Sequence, residues 1–155
     1  MARTTPATKA LDALGIAYEF DTFEYTSGPD IGARAAAEKG VEPGQVMKTL
    51  MIKVDGKPAC LITPSDGNVS LKKAAAAFGG KSAAMMPIPE AERATGYVVG
   101  GISPLGQRKR APTAINERAF LFERIYVNGG GRGTLVYLTP DDLKTAAEAI
   151  VAELD

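Results

Sequence analysis

From Ile16 to Phe23 the side chains alternate, with Ile16, Tyr18, Phe20 and Thr22 on one face and Ala17, Glu19, Asp21 and Phe23 on the other, the period of a half-buried strand. Ahead of this stretch, Thr5 stands before Pro6 as an N-cap followed by proline at the first helical position. Ala10, Leu11 and Leu14 then form a narrow apolar stripe that Gly15 ends, so the spacing predicts a helix over 6–14. Residues 30–39 are alanine-rich up to Gly40 and predict a second helix. Val46 to Val54 and Pro58 to Thr63 are apolar runs joined through Asp55-Gly56-Lys57, a hairpin signal. Ser70 caps a helix through Phe78 that Gly79-Gly80 stops, Pro87 introduces a short helix over 88–94, and Thr139-Pro140 opens a closing helix to about 153. Short strands are expected near 82–86, 97–99, 112–116, 124–128 and 134–138. The strands outnumber the helices and do not interleave regularly with them. The pattern therefore predicts an α/β chain of the mixed α+β kind, a mostly antiparallel sheet with helices around it, over a doubly wound parallel fold.

Composition adds bounds to this picture. With 155 residues, 45% hydrophobic and ten Phe or Tyr, the chain is sized for one core, and 1–155 reads as a single domain. Eighteen bases balance eighteen acids, so contact with nucleic acid has to come from local clustering. Such clustering exists: Arg108, Lys109 and Arg110 stand together without an acid between 100 and 114, while 19–42 holds six acids against two bases. One cysteine excludes an internal disulfide. No apolar run approaches the roughly 20 residues of a membrane span, and the N-terminal stretch MARTTPATKALDALG lacks the apolar core of a secretory signal. A cytoplasmic protein without a membrane partner is expected.

The absence of histidine rules out imidazole acid–base catalysis, a Ser-His or Cys-His nucleophile pair and a His-rich metal site. Cys60 lies within the apolar run Ala-Cys-Leu-Ile and reads as a small core residue. Two stretches imitate a phosphate loop and fail. Gly101 to Arg108, GISPLGQR, replaces the required Lys and Ser/Thr, and Gly80-Lys81-Ser82 has Ala75 in place of the first glycine. Lys48 shares a strand face with Val46, Leu50, Ile52 and Val54. Because a buried unpaired charge costs several kcal/mol, this ammonium either reaches solvent at the strand end or holds an anion. Gly100 and Gly101, before Ser103-Pro104, either close a tight turn or present amides to a carbonyl oxygen. Arg108, Lys109 and Arg110 form a solvated edge or a phosphate contact. The run Gly129-Gly130-Gly131-Arg132-Gly133 forms a hairpin loop or the rim of a ligand site that Arg132 reaches.

The runs Val46-Met47-Lys48-Thr49-Leu50 and TGYVVGGISPLGQ over 95–107, the following bases, Pro112-Thr113, and Ile125-Tyr126-Val127 with its glycine turn resemble the YbaK/EbsC family of bacterial Cys-tRNA(Pro) deacylases. That family is similar to the editing insertion domain of prolyl-tRNA synthetases, a mixed α/β domain around a curved sheet. The resemblance covers nearly the whole chain and implies trans-editing, the removal of cysteine from mischarged Cys-tRNA(Pro). In the family the substrate's own thiol is the proposed nucleophile, which makes the enzyme an ester hydrolase, or a lyase if cleavage is intramolecular. Carried over, Lys48 is the essential cation, and Gly100 and Gly101 are the catalytic amides. Phe23, Thr49, Ile102, Ser103, Pro104 and Asn128 bind substrate, and Arg108, Lys109, Arg110 and Arg132 bind tRNA. Mischarged tRNA and prolyl-tRNA synthetase are the implied partners, with no cofactor and no metal. Phe23 stands where tyrosine is common, Asn128 replaces a serine, and Leu135 occupies a place that can be acidic. All three positions belong to the aminoacyl pocket in the resemblance. A deacylase for another small amino acid, such as alanine on tRNA(Pro), and a non-catalytic tRNA- or synthetase-binding module are the alternatives.

Overall fold

The computed structural model describes residues 4–155; residues 1–3, at the start of the N-terminal stretch read above, lie outside the described residues. Helix α1 (Pro6–Ala13) begins at a reciprocal cap in which the Thr5 hydroxyl accepts from the Thr8 amide and the Thr8 hydroxyl accepts from the Thr5 amide. Strand β1 (Glu19–Thr22) and helix α2 (Ile31–Lys39) follow. The predicted hairpin forms as β2 (Met47–Val54) and β3 (Lys57–Pro64), in register from Met47 opposite Pro64 to Val54 opposite Lys57. Its turn residues Asp55 and Gly56 both have positive φ, 50° and 83°, as a two-residue turn between right-twisted strands requires. Helix α3 (Leu71–Ala77), strand β4 (Ala83–Met85), helix α4 (Ile88–Thr95), strands β5 (Thr113–Asn116), β6 (Ile125–Asn128) and β7 (Thr134–Leu138), helix α5 (Pro140–Ala147) and strand β8 (Ile150–Ala152) complete the order.

The strands divide between two sheets. Three antiparallel strands run in the order β1-β7-β6, and five run β4-β2-β3-β5-β8, with β4-β2 and β2-β3 antiparallel and β3-β5 and β5-β8 parallel. A parallel bridge between Val46 and Tyr126 joins them. The single curved sheet expected from the sequence is thus two sheets meeting at a seam. Antiparallel pairing predominates, as expected.

Two predicted elements differ. Residues 97–99 are not a strand. The segment from Gly96 to Gln107 folds on itself as a compact loop: the buried Tyr97 hydroxyl donates to the Leu105 carbonyl at 2.7 Å, the Gly101 amide to Val98 at 2.8 Å, and the Arg108 amide closes the loop onto Thr95 at 2.9 Å. The Tyr97 amide donates to the Thr95 hydroxyl at 3.1 Å and the Val99 amide to the Glu92 carboxylate at 2.9 Å, so these local bonds take backbone groups that a strand would direct sideways. The closing helix does not reach 153 but stops at Ala147, where Glu148 turns left-handed with φ 50°. The β-branched pair Ile150-Val151 then pairs along β5, with Ala114 opposite Ile150. The open edge of β5 supplies backbone partners that helical propensity alone could not foresee.

Strand β3 lies at the centre of the larger sheet and feeds two cores. Ile62 packs with Leu11, Val127, Val136, Leu138 and Leu143 beneath the smaller sheet, whereas Leu61 packs with Ile52, Ala74, Ala75 and Leu154 under α3. Cys60, fully buried, sits in a small cluster with Met51, Met86 and Ala91. No helix among the described residues is long and apolar enough to cross a membrane. We expect Ile62→Ala to cost about 2–5 kcal/mol in urea unfolding through the cavity it leaves. Val151→Ala, at a side chain 45% exposed, should stay within about 0.5 kcal/mol of the parent; equal losses in the two variants would contradict this placement of the core.

Candidate functional site

The seam between the sheets opens into a pocket of about 180 Å³. Strand β2 supplies Met47, Lys48 and Thr49 to it directly after the bridging residue Val46, and the smaller sheet supplies Asn128 and Leu135. Phe23 closes one side, and the first turns of α2 contribute Ile31, Gly32 and Ala35. The self-bonded loop brings Val99, Gly100 and Ile102 across the opening. A space of this size lies below the roughly 300–1,000 Å³ of sites for drug-sized ligands. It suits a group on the scale of one small amino acid.

Of the residues predicted to bind or act, Lys48, Thr49, Phe23, Gly100, Ile102 and Asn128 come together here. Lys48 is half-buried, and its ammonium donates to the Gly67 carbonyl at 3.3 Å, so one long hydrogen bond meets part of its need. The Thr49 hydroxyl is buried with no partner among the described residues. Such a group costs about 1–3 kcal/mol until something bonds to it. Phe23, Asn128 and Leu135, the three departures from the family pattern, all line the pocket. Asn128 also builds the glycine turn: its carbonyl oxygen accepts from the Gly130 and Gly131 amides at 2.7 and 3.1 Å, and its amide donates to the Gly131 carbonyl at 3.1 Å. A serine hydroxyl makes the same kind of turn more weakly.

Other predicted residues lie elsewhere. Ser103 is fully buried, and its hydroxyl accepts from the Leu105 amide at 3.2 Å; it shapes the loop from within. Pro104 and Arg110 border a different, larger cavity of about 410 Å³ between α1, the 104–113 segment and α5, where Arg110 pairs with Glu148. Arg108 and Lys109 are exposed, with their amides bonded back to Thr95 and Ala94, and neither lines the small pocket. Arg132 does reach the rim, as its Nε donates to the Val99 carbonyl at 3.0 Å. Gly101 is buried behind the pocket wall with its amide already bonded to Val98. A Cβ there would meet the Gly131 and Arg132 backbone at 2.6–2.9 Å, so the bare position admits another loop rather than a ligand.

The sequence reading missed Ile31, Gly32, Ala35, Ser65 and Val99. Val99 carried a signal by lying in the run over 95–107, and Gly32 as a glycine in the first turn of an alanine-rich helix. The glycine has a packing reason: a Cβ would lie 1.9 Å from the Ser65 hydroxyl, which is held there by its bond to the Val46 carbonyl at 2.6 Å.

Chemically, the lining offers, among the described residues, one ammonium, the Thr49 and Ser65 hydroxyls and the Asn128 amide, with no carboxylate, imidazole or thiol. Cys60, as expected, is core, and burial pushes its thiol up to about 12. The site can therefore stabilise negative charge and orient a small polar group, but it contains no side-chain base to activate a nucleophile.

Gly101→Ala should lower stability by about 1–3 kcal/mol as the two loops are pushed apart, with melting temperature and site occupancy falling together. A variant that melts like the parent would show that the loops part without cost.

Comparisons with known proteins bear on the family and the fold. The model of the aminoacyl-tRNA editing domain family matches residues 28–146, a span that includes every residue of the pocket except Phe23. A protein of Enterococcus faecalis named as a candidate Cys-tRNA(Pro)/Cys-tRNA(Cys) deacylase, EbsC, is 33% identical over 139 residues, covering 87% of this chain and 84% of the relative. YwhH of Bacillus subtilis is 26% identical over 126 residues, covering 81% and 80%. The crystal structure of a candidate trans-editing enzyme for prolyl-tRNA synthetase superposes with a TM-score of 0.85 over 97% of this chain and 94% of the other, at 24% identity, which shows the same fold. With the family model spanning most of the chain and the EbsC likeness extending along nearly all of it, this protein belongs to the aminoacyl-tRNA editing domain family, of the YbaK type.

Proposed function

We propose that the chain is a trans-editing deacylase that removes cysteine from Cys-tRNA(Pro) by thiol-assisted ester cleavage. The observation that carries this reading is the composition of the pocket, one ammonium and no side-chain base. A cysteinyl ester brings the missing nucleophile with it. Its thiol sulfur bonds to the ester carbonyl carbon, the bond from that carbon to the ribose oxygen breaks, and the thiol proton ends on the ribose hydroxyl. Water then opens the resulting thioester, which completes a net hydrolysis. Lys48 favours both the thiolate and the tetrahedral oxyanion, and the Thr49 hydroxyl, without a partner among the described residues, bonds a polar group of the aminoacyl moiety. Gly100 and Ile102 bound the space for that moiety. The tRNA body is held by exposed cations, with prolyl-tRNA synthetase as the partner that delivers the substrate.

A separate hydrolytic step suits this substrate, because a small pocket separates amino acids of similar size by only about 1–3 kcal/mol. The pocket walls Phe23, Ile31, Ala35 and Leu135 are apolar and would also admit an alanyl group, so the thiol rather than fit is the discriminating feature of this proposal.

With purified protein, Cys-tRNA(Pro) should be deacylated while Ala-tRNA(Pro) and Pro-tRNA(Pro) persist. Efficient cleavage of Ala-tRNA(Pro) would refute thiol assistance and select the alanine-editing alternative, and no cleavage of any of the three would select the binding module. Lys48→Met, which keeps bulk and removes charge, should lower kcat/KM by about 10²-fold at unchanged melting temperature. Turnover near that of the parent would remove Lys48 from the mechanism.

Cys60→Ala should retain turnover and lose at most a few kcal/mol of stability. Because burial holds the folded thiol protonated up to about 12, against a reference value of 9.0, the native protein should resist iodoacetamide until it is unfolded. In the same window stability should fall as pH rises, since the unfolded thiol ionises first. A folded Cys60→Ala protein without activity would mean that the thiol takes part in catalysis.

A further inference from the structure

A planar cation and an aromatic ring meet at one edge of the pocket mouth. Tyr25, in the segment between β1 and α2, packs on the Phe23–Ala35–Leu135 cluster that floors the pocket, and its ring lies against Gly100, where a Cβ would be 2.6 Å from the phenol oxygen. The Arg132 guanidinium lies over that ring, 5.4 Å from its centre, and its Nε is tied to the Val99 carbonyl. Arg132 is exposed, and no acid among the described residues forms an ion pair with it. Val98 and Val99 beside it are 49% and 40% exposed. One face of the guanidinium is thus backed by an aromatic ring, and an apolar pair borders it.

The chemistry of the substrate says what belongs there. The aminoacyl ester is carried by the terminal ribose, and the base is attached to that same ribose. A pocket of about 180 Å³ takes the aminoacyl group and leaves the nucleoside outside, so the ribose sits at the rim and its base within a few ångströms of it. Unpaired bases are held in proteins by stacking on aromatic rings and guanidinium planes. We infer that Arg132 is the seat for the terminal base of the acceptor strand, which stacks on the outer face of the guanidinium, with Tyr25 as the positioning residue behind it. This assignment rests on the editing reading and adds to it a reason why a lone arginine closes the glycine turn. A lysine there would keep the charge and lose the plane.

The test uses the full chain and two uncharged acceptor minihelices, one ending in adenosine and one with an abasic terminal ribose, titrated by fluorescence anisotropy. The parent should bind the adenosine-ended minihelix about tenfold more tightly. Arg132→Lys should abolish that preference while leaving the salt dependence of binding unchanged, because the charge remains. Tyr25→Leu should reduce the preference, and Tyr25→Phe should restore it. A parent that binds both minihelices equally, or an Arg132→Lys protein that keeps the preference, would overturn the inference. A preference that stands in a protein that hydrolyses no aminoacyl ester would leave the base seat in place and remove the deacylase reading instead.

Discussion

The Val46 carbonyl ties the two sheets and α2 together beside the candidate site. It accepts from both the amide and the hydroxyl of Ser65, at 2.9 and 2.6 Å, next to the bridge from Val46 to Tyr126 that joins the two sheets. The same serine hydroxyl occupies the space left by the missing side chain of Gly32, so α2 lies directly on the seam. Three layers that belong to different parts of the chain are brought together by one bonded group. Each wall of the pocket descends from this contact: β2 carries Lys48 and Thr49 out of the seam, the smaller sheet faces them with Asn128 and Leu135, and α2 covers them with Ile31 and Ala35.

Burial and charge are balanced around Lys48 through the far end of the chain. Gly67, whose carbonyl accepts from the Lys48 ammonium, is packed against Arg118 and Asp155. Arg118 pairs with Asp66 at 2.8 Å and with Asp155, and the Asn116 side-chain amide donates to Asp155 at 2.8 Å and to Thr63 at 3.1 Å. Both acids raise the pKa of the Arg118 guanidinium, the hydrogen bond to Asp66 contributing most. Strand β8 and the buried Leu154 hold Asp155 where it can join this network. The C-terminal segment, far from Lys48 in sequence, therefore fixes the carbonyl that the lysine uses. The carboxylates are turned toward Arg118, and none lines the pocket, so the ammonium keeps its positive field there.

The site also illustrates how glycine works by leaving room. At Gly101 the absent side chain lets the loop that crosses the pocket touch the glycine turn between β6 and β7, and Asn128 braces that turn from its own strand. The two loops form a single rim. Arg132 projects from it at a defined place, tied to Val99, instead of sweeping freely as an arginine on a flexible loop would.

Much of this was legible in the sequence, because the signals are local. Caps at Thr5, Ser70 and Thr139, the Asp55-Gly56 turn and period-two alternation act over a few residues, and they located α1, α3, the start of α5 and the β2–β3 hairpin. The lack of histidine and the apolar setting of Cys60 excluded whole classes of catalysis before any coordinate was known. The motifs around Lys48 and Gly100 carried the family resemblance. What the sequence could not contain is long-range partnership. Residues 97–99 have strand-forming side chains, yet the Tyr97 amide donates to the Thr95 hydroxyl, the Val99 amide to the Glu92 carboxylate, and the Val98 carbonyl accepts from Gly101; Ile150-Val151 continued a helical run on paper and became β8 because β5 had an open edge. The same holds for the site. Ser103 and Gly101 stand in the signature and face inward, while Gly32, Ser65 and Tyr25 stand in no motif and shape the pocket or its mouth. Residue type and spacing determine which groups are available and which local turns form. Which group meets which across the seam is decided by tertiary packing, since one carbonyl, one missing methyl and one sheet edge select among partners that are distant along the chain.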